Sequence, residues 1–183
     1  MRITITGPRS VGKTTISKLL AKNLRLKYFS SDEIGEKALK KYGGLDKAIK
    51  QNLIGKFIKN SNYGLIREIY KKNNFVFDIS GGAVSSKKYA EASQRVRKTA
   101  KENSIIIGLL PSKSINESIK FLFERERKRE HFKNFNRKEL FDKTKKSYKG
   151  FPIIFKELCD FIVYVKDKTP KEIVEKIKEN VGG

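Results

Sequence analysis

The chain has little of the side-chain chemistry on which metal sites and disulfide frameworks depend. It contains no tryptophan, a single cysteine, Cys159, and a single histidine, His131. One cysteine excludes an internal disulfide and fits a reducing compartment, so we expect a cytoplasmic protein in which Cys159 is a small core residue. His131 lacks the partners of a metal site, and we expect it at the surface or beside phosphate.

Long apolar runs are also lacking. No stretch approaches the roughly 20 apolar residues that cross a bilayer, and a strand pattern begins at the first residues. We therefore expect neither a membrane partner nor a signal peptide. Apolar residues still make up 38 % of the 183 residues, which suffices for one core, so we expect a single domain over residues 1–183 and a monomer.

Acidic residues are outnumbered, with 20 Asp and Glu against 42 Lys and Arg and a net charge of +22. The excess is spread along the chain: residues 121–150 have 11 basic and 5 acidic residues, a net of +6, which leaves +16 on the rest. A nucleic-acid binder usually concentrates its charge in a stripe. Nucleic acid is therefore a disfavoured partner that composition leaves open, and the positive field also favours anionic substrates.

Residues 7–14 carry the most specific pattern of the chain. They read Gly-Pro-Arg-Ser-Val-Gly-Lys-Thr and match G-x-x-x-x-G-K-[ST], the phosphate-binding loop. A strand pattern precedes them and a helical pattern follows, as that loop requires. Backbone N–H groups would bind phosphates, Lys13 would reach the terminal phosphates, and Thr14 would bind Mg²⁺. The predicted phosphate-binding residues are Gly7, Pro8, Arg9, Ser10, Val11, Gly12, Lys13, Thr14 and Thr15.

Strand and helix patterns alternate along the rest of the chain. Apolar runs predict strands at 3–6, 26–30, 75–80, 105–110 and 161–165, and helical spacing predicts helices at 45–70, 84–103 and 114–130, with a last helix beginning at Thr169-Pro170. The first of these helical stretches is long enough for two helices, with a break near residues 60–62. Such alternation is typical of an α/β fold with a parallel sheet covered on both faces.

The stretch from 130 to 150 differs from its surroundings. It is highly charged, weakly periodic and poor in core residues. These features are typical of a mobile lid over an active site.

Two acids and a glycine pair follow predicted strands. Asp32 comes after the second strand, and Asp78 and the pair Gly81-Gly82 close the third. Strand C-termini line the ligand crevice of an open α/β sheet, so these residues are expected near the phosphates. Three structural alternatives stay open: Ser31 or Asp32 as a helix N-cap, Asp78 as a solvated acid, and the glycines as a simple turn.

Three arginines alternate before the predicted lid. On one helix Arg125 and Arg129 share a face, whereas Arg127 points elsewhere. We expect the first two to serve phosphate. The alternative is a solvated helix stabilised by Glu/Arg pairs.

With these positions assembled, the chain resembles the shikimate kinase family of phosphate-loop kinases over nearly its whole length. In that family the second strand ends in Asp-x-Asp and the third in Gly-Gly-Gly. Residues 30–32 (Ser-Ser-Asp) match the first pattern without its leading acid, and residues 80–83 (Ser-Gly-Gly-Ala) match the second without its last glycine. Residues 151–160 match the family's Arg-x-Pro-Leu-Tyr-x-x-x-Ala-Asp segment, but its arginine is absent and Lys149 is the nearest cation.

The resemblance implies further site residues. Pro170 is similar to the proline that packs on the adenine ring, and either Lys59 or Arg67 is in the position of the cation that holds the substrate carboxylate. The stretch 129–132, Arg-Glu-His-Phe, also resembles the lid of gluconate kinases. A nucleoside monophosphate kinase is a third possibility, suggested by the acid at Asp78.

The resemblance implies an ATP-dependent phosphotransferase with a five-stranded parallel sheet in the order 2-3-1-4-5. Lys13 and Arg129 would stabilise charge on the transferred phosphoryl group, and Arg125 would help to bind ATP. Thr14, with Asp78 or Asp32, would hold Mg²⁺, and Asp32 could orient or deprotonate the acceptor hydroxyl. The remaining predicted contacts of the acceptor, a small hydroxylated and anionic metabolite, are Lys59, Arg67, Gly81, Gly82 and Lys149. A rival from another class is a nucleic-acid-associated ATPase without a small acceptor.

Overall fold

Five strands form one parallel sheet in the order β2-β3-β1-β4-β5. The structure, a computed structural model, describes residues 1–44, 47–48, 51 and 63–182. Each predicted strand is present, with its ends shifted by one residue or less. The strands are β1 (Arg2–Gly7), β2 (Lys27–Ser30), β3 (Phe75–Ser80), β4 (Ile105–Leu110) and β5 (Phe161–Tyr164).

Helices connect the strands. They are α1 (Lys13–Leu24), α2 (Ser31–Ala38), α3 (Tyr63–Tyr70), α4 (Gly81–Ser85), α5 (Ala90–Asn103), α6 (Ile115–Arg127), α7 (Arg137–Tyr148), α8 (Phe151–Leu158) and α9 (Pro170–Val181), with 3₁₀ turns at Lys40–Tyr42 and Glu130–Phe132. In the described part of the chain, no helix is both long enough and apolar enough to cross a membrane.

The pairing register brings the functional strand ends together. Gly7 at the end of β1 pairs with Ser80 on β3, and Ser30 at the end of β2 pairs with Asp78. Because the strands are parallel, their carboxyl ends share one edge of the sheet, from which the phosphate loop continues.

The core lies on both faces of the central strands. Phe75, Phe77, Ile3 and Ile5 are fully buried, and burial of such a side chain contributes about 1.5–3 kcal/mol relative to leaving it exposed. The successive residues Phe75, Val76 and Phe77 of β3 are all buried, as a sheet covered on both faces requires.

Two predicted helix boundaries were wrong. The predicted helix at 84–103 is two helices, α4 and α5, because Ser86 takes an extended backbone and its hydroxyl accepts a hydrogen bond from the Tyr89 N–H at 3.2 Å. The predicted helix at 114–130 ends at Arg127. Of the prediction for 45–70, α3 is the part that is described as a complete helix, and the break at 60–62 lies outside the described residues.

The stretch 130–150 is more ordered than its charge pattern indicates. Its helix α7 begins with a capping box between Asn136 and Glu139, and Leu140, Thr144 and Tyr148 are buried at a spacing of four. The expectation of weak periodicity and few core residues was therefore wrong. The helix has a narrow buried stripe, and charged residues on its outer face conceal it in the sequence.

That stripe belongs partly to a second, smaller apolar cluster. Phe123 of α6, Phe132 and Leu140 are buried together, with Phe141 packed against them. The rings of Phe123 and Phe141 meet edge to face, with 5.4 Å between their centroids. The predicted lid thus has apolar anchors of its own.

Candidate active site

The loop between β1 and α1 curls through two left-handed residues. Ser10 has φ 66° and Gly12 has φ 108°. Gly12 is the N-cap of α1, and its φ is one that only glycine adopts without strain. A loop that curls in this way at a helix N-terminus is the usual setting in which backbone N–H groups bind phosphate.

Lys13 bends back over this loop. Its Nζ donates to the Pro8 carbonyl oxygen at 3.2 Å. Burial lowers the pKa of Lys13, and the negative charges of Asp78 and Asp32 partly oppose that shift. A bound phosphate would add the negative charge that a desolvated ammonium group favours.

Asp78 lies next to the loop lysine and is 4 % exposed. Thr14 Oγ1 donates to its Oδ2 at 2.8 Å. Burial raises the pKa of Asp78, while the Lys13 charge and the Thr14 hydrogen bond oppose the rise. The alternative of a solvated edge acid is therefore wrong, because the carboxyl is buried beside the loop.

Asp32 lies in the first turn of α2 and is exposed. The N-cap of that helix is Ser30, whose hydroxyl accepts from the Glu33 N–H at 3.4 Å. The alternative that Ser31 or Asp32 caps the helix is therefore wrong. The Ser31 hydroxyl instead accepts from the Ser80 N–H at 2.8 Å and joins the ends of β2 and β3.

The two glycines after β3 occupy different environments. A Cβ on Gly81 would lie 2.5 Å from the Gly7 carbonyl oxygen and 2.7 Å from Phe151 Cζ. A Cβ on Gly82 would meet no described atom within 4 Å. Gly81 thus permits a close approach to the loop, which a simple turn would not require. Lys149, two residues before Phe151, is exposed.

Two of the three alternating arginines reach the phosphate loop. Arg125 Nη1 donates to the carbonyl oxygens of Ser10 at 3.1 Å and Val11 at 3.2 Å. Arg129 Nη1 donates to the Ser10 hydroxyl at 3.4 Å. Arg129 follows the end of α6, so the two arginines do not share a helix face as expected, although both are directed to the same loop.

Arg127 points elsewhere, as the spacing predicts. It forms an exposed ion pair with Glu124 at 3.0 Å. The alternative of Glu/Arg pairs on a solvated helix is thus correct for this arginine.

Other predicted residues are exposed or lie outside the described residues. Thr15, Arg67 and Pro170 are exposed, on α1, α3 and the first turn of α9 respectively. Lys59 lies outside the described residues, as does the side chain of His131. Their predicted roles stay predictions.

Sequence reasoning missed Glu126, a buried acid of α6 that is 1 % exposed. It accepts from Arg9 Nε at 2.8 Å. The signal was present: Glu126 follows the buried Leu122 and Phe123 at spacings of four and three, so it continues the buried stripe of the helix. Its position among alternating charges made it resemble a solvated residue.

Comparison with known proteins agrees with this geometry. The family model described as shikimate kinase matches residues 9–182. The chain belongs to the shikimate kinase family. It is therefore a kinase with an ATP-binding phosphate loop and an alcohol group as phosphoryl acceptor, and membership implies the use of ATP and Mg²⁺.

Solved structures have the same fold at low sequence identity. The chain is 19 % identical to shikimate kinase from Bacteroides thetaiotaomicron, with a TM-score of 0.78 and coverage of 100 % of this chain and 99 % of the other. It is 18 % identical to shikimate kinase from Acinetobacter baumannii in complex with shikimate, with a TM-score of 0.71 and coverage of 98 % and 92 %. A gluconokinase from Sinorhizobium meliloti 1021 is 15 % identical, with a TM-score of 0.53 and coverage of 99 % and 95 %. Among curated proteins, none matches the chain.

The buried acid predicts a pH-dependent difference in stability. Burial raises the pKa of Asp78 above its usual value of 3.8, so the unfolded chain releases this proton at lower pH than the native state does. As pH rises from 3.8 through the native pKa of Asp78, the free energy of unfolding of the wild-type protein should therefore fall relative to that of Asp78→Asn. Above the native pKa, the difference in free energy between the two proteins should stay constant. Urea unfolding of both unliganded proteins between pH 3 and 8 measures it; a difference that does not vary with pH would contradict the prediction.

Proposed function

We propose that this kinase transfers the γ-phosphoryl group of ATP to a hydroxyl of a small, anionic metabolite. The observation that supports this most strongly is the meeting of Lys13, the Thr14–Asp78 pair and Arg129 around one phosphate loop. These groups have the charges and donor atoms that phosphoryl transfer uses. We propose that residues 1–183 act as one kinase domain in which about 125–149 form a lid.

The chemistry in this proposal is mainly electrostatic. Lys13 and Arg129 stabilise the charge that spreads over the phosphoryl oxygens, Arg125 supports ATP binding, and the loop amides hold the neighbouring phosphates. Such transfers have a loose transition state that needs little strong base. Asp32, exposed at the start of α2, orients the acceptor hydroxyl and accepts its proton.

The donor atoms near the loop fit Mg²⁺. The Thr14 hydroxyl and the Asp78 carboxylate supply oxygen, the ligand that this ion prefers, and 2.8 Å separates their oxygens. Bound there, Mg²⁺ would supply positive charge opposite the phosphate oxygens. The acid that the family has at position 30 is serine here, and its register partner on the next strand is Asp78. We propose that Asp78 on β3 replaces the carboxylate that the family has at position 30 on β2.

The acceptor-binding part of the family pattern is altered in this chain, so the proposal names a class of acceptor and not shikimate itself. The arginine of the family's segment before the fifth strand is absent, Lys149 is the nearest cation, and the ring of Phe151 packs beside Gly81. We propose that Asp32, Gly81, Gly82 and Lys149 contact a small hydroxylated acid, with Lys59 or Arg67 as a second cation.

A panel of hydroxylated acids, sugars and nucleoside monophosphates tests this function through acceptor-dependent release of ADP from MgATP. Saturable stimulation by a hydroxylated acid supports the proposal. Acceptor-independent hydrolysis, together with steeply salt-dependent binding to RNA or DNA, would instead favour the nucleic-acid-associated ATPase.

Replacement of the loop lysine should affect turnover far more than folding. Lys13→Ala removes a positioned cation, so kcat should fall by about two orders of magnitude or more. Circular dichroism should be unchanged. Turnover within threefold of the wild-type value would contradict the assignment.

Removal of the Asp78 carboxylate should affect metal use. Asp78→Asn should raise the Mg²⁺ concentration for half-maximal activity at least about tenfold, because an amide is a weaker ligand for Mg²⁺ than a carboxylate. Affinity for metal-free ATP, measured by calorimetry, should change little. An unchanged Mg²⁺ titration would mean that the acid has only a structural role.

The three alternating arginines provide a matched set. Arg125→Ala and Arg129→Ala should each lower kcat/KM about tenfold or more, since both side chains contact the loop and both would lose charge near phosphate. Arg127→Ala is the control and should stay within twofold, because that side chain pairs with Glu124 at the surface. If Arg127 proves the most sensitive of the three, the assignment is wrong.

A further inference from the structure

The buried Glu126 uses both of its carboxylate oxygens. Oε1 accepts from Arg9 Nε at 2.8 Å, and Oε2 accepts from Thr144 Oγ1 at 2.7 Å. Arg9 belongs to the phosphate loop, Glu126 to α6 and Thr144 to α7. One carboxylate thus joins three segments of the chain. Two of its members, Arg9 and Glu126, are 117 positions apart in the sequence.

The other side of Arg9 is also occupied. Its Cζ lies 4.4 Å from the centroid of the Phe132 ring, in the 3₁₀ turn between the two helices. A guanidinium group between a carboxylate and an aromatic face is held by charge and by cation–π attraction together. All the partners of Arg9 in this arrangement come from the stretch between 126 and 132.

The neighbouring loop residue is held from the same stretch. Arg125 donates to the Ser10 carbonyl oxygen, and Arg129 donates to the Ser10 hydroxyl. Ser10 has a positive φ of 66°, which a residue with a side chain adopts only when its surroundings enforce it. Residues from the stretch 125–132 therefore contact the loop at Ser10, where its backbone is strained.

We propose that Glu126 is a positioning residue of the phosphate loop. Its carboxylate binds Arg9 and Thr144, so that the loop and the helices α6 and α7 hold their relative positions for nucleotide binding. Glu126 does not contact substrate in this role. It acts through Arg9, whose own backbone forms part of the loop. The inference rests on the nucleotide function proposed above.

Glu126 and Arg9 differ in burial, so substitutions can separate a positioning role from simple stabilisation of the fold. Glu126 is 1 % exposed, whereas the Arg9 side chain is 41 % exposed. Arg9→Met would leave a buried carboxylate with the Thr144 hydroxyl as its described partner, and an uncompensated buried charge is strongly destabilising. Glu126→Gln leaves an exposed arginine that water can solvate, so the fold should tolerate it better. The double variant lacks both charges and should recover much of the melting temperature that Arg9→Met loses.

The test measures MgADP affinity by calorimetry and the melting temperature of the unliganded protein for Glu126→Gln, Arg9→Met and the double variant. A misplaced loop should weaken MgADP binding about tenfold or more in all three. Affinity should stay low in the double variant even though its melting temperature recovers. Glu124→Gln, two residues earlier on the exposed face of α6, is the matched control and should bind within twofold of wild type.

Three outcomes would overturn the inference. The first is that Glu126→Gln binds MgADP within twofold of wild type. The second is that the double variant regains its affinity for MgADP together with its melting temperature, because the ion pair would then have only a structural role. Failure of the wild-type protein to bind MgADP would overturn the proposed function and this inference with it. If Arg9→Met does not fold, Thr144→Val removes the other partner of Glu126 and should weaken MgADP binding in the same direction.

Discussion

Lys13 and Asp78 have opposite charges beside the phosphate loop, and much of the site depends on the balance between them. Burial alone would favour the neutral form of each group, and the charge of each partner opposes that effect. Thr14 adds a hydrogen bond to the acid. The groups that prepare the site for phosphate therefore make the free protein less stable than an apolar arrangement would, which is common at catalytic sites. The buried strands on either side compensate for this cost.

The sequence predicted the sheet well because its signals are local. The runs that form β3 and β4 are mostly apolar, and the strands have the bounds that those runs predict. The loop at Gly7–Thr14 was predictable for a similar reason, since glycine, lysine and threonine at fixed spacing serve one purpose. The sequence accordingly indicated Lys13, Thr14 and Asp78 as candidates, and the structure places them beside one another.

The lid was harder to predict because its order comes from contacts between segments. Leu140, Thr144 and Tyr148 form a stripe one residue wide on an otherwise charged helix. Glu126 follows the same logic: an acid is buried only when partners such as Arg9 and Thr144 reach it, and those partners are distant in sequence. No pattern within a short window reveals such pairs. Arg125 and Arg129 were expected to serve phosphate, and both contact the phosphate loop at Ser10, although the helix that was expected to hold both of them ends between them.

The contact between Gly81 and the ring of Phe151 has a consequence for how members of this family diverge. The Gly7 carbonyl oxygen limits position 81 to glycine from one side, and the aromatic ring limits it from the other. A smaller residue at 151 would relieve only the second of these constraints. The residue at 151 is thus less constrained than the residue at 81, although it is itself buried in the core. Exchange of residue 151 would change the packing beside position 81 and leave the backbone contact between positions 81 and 7 in place.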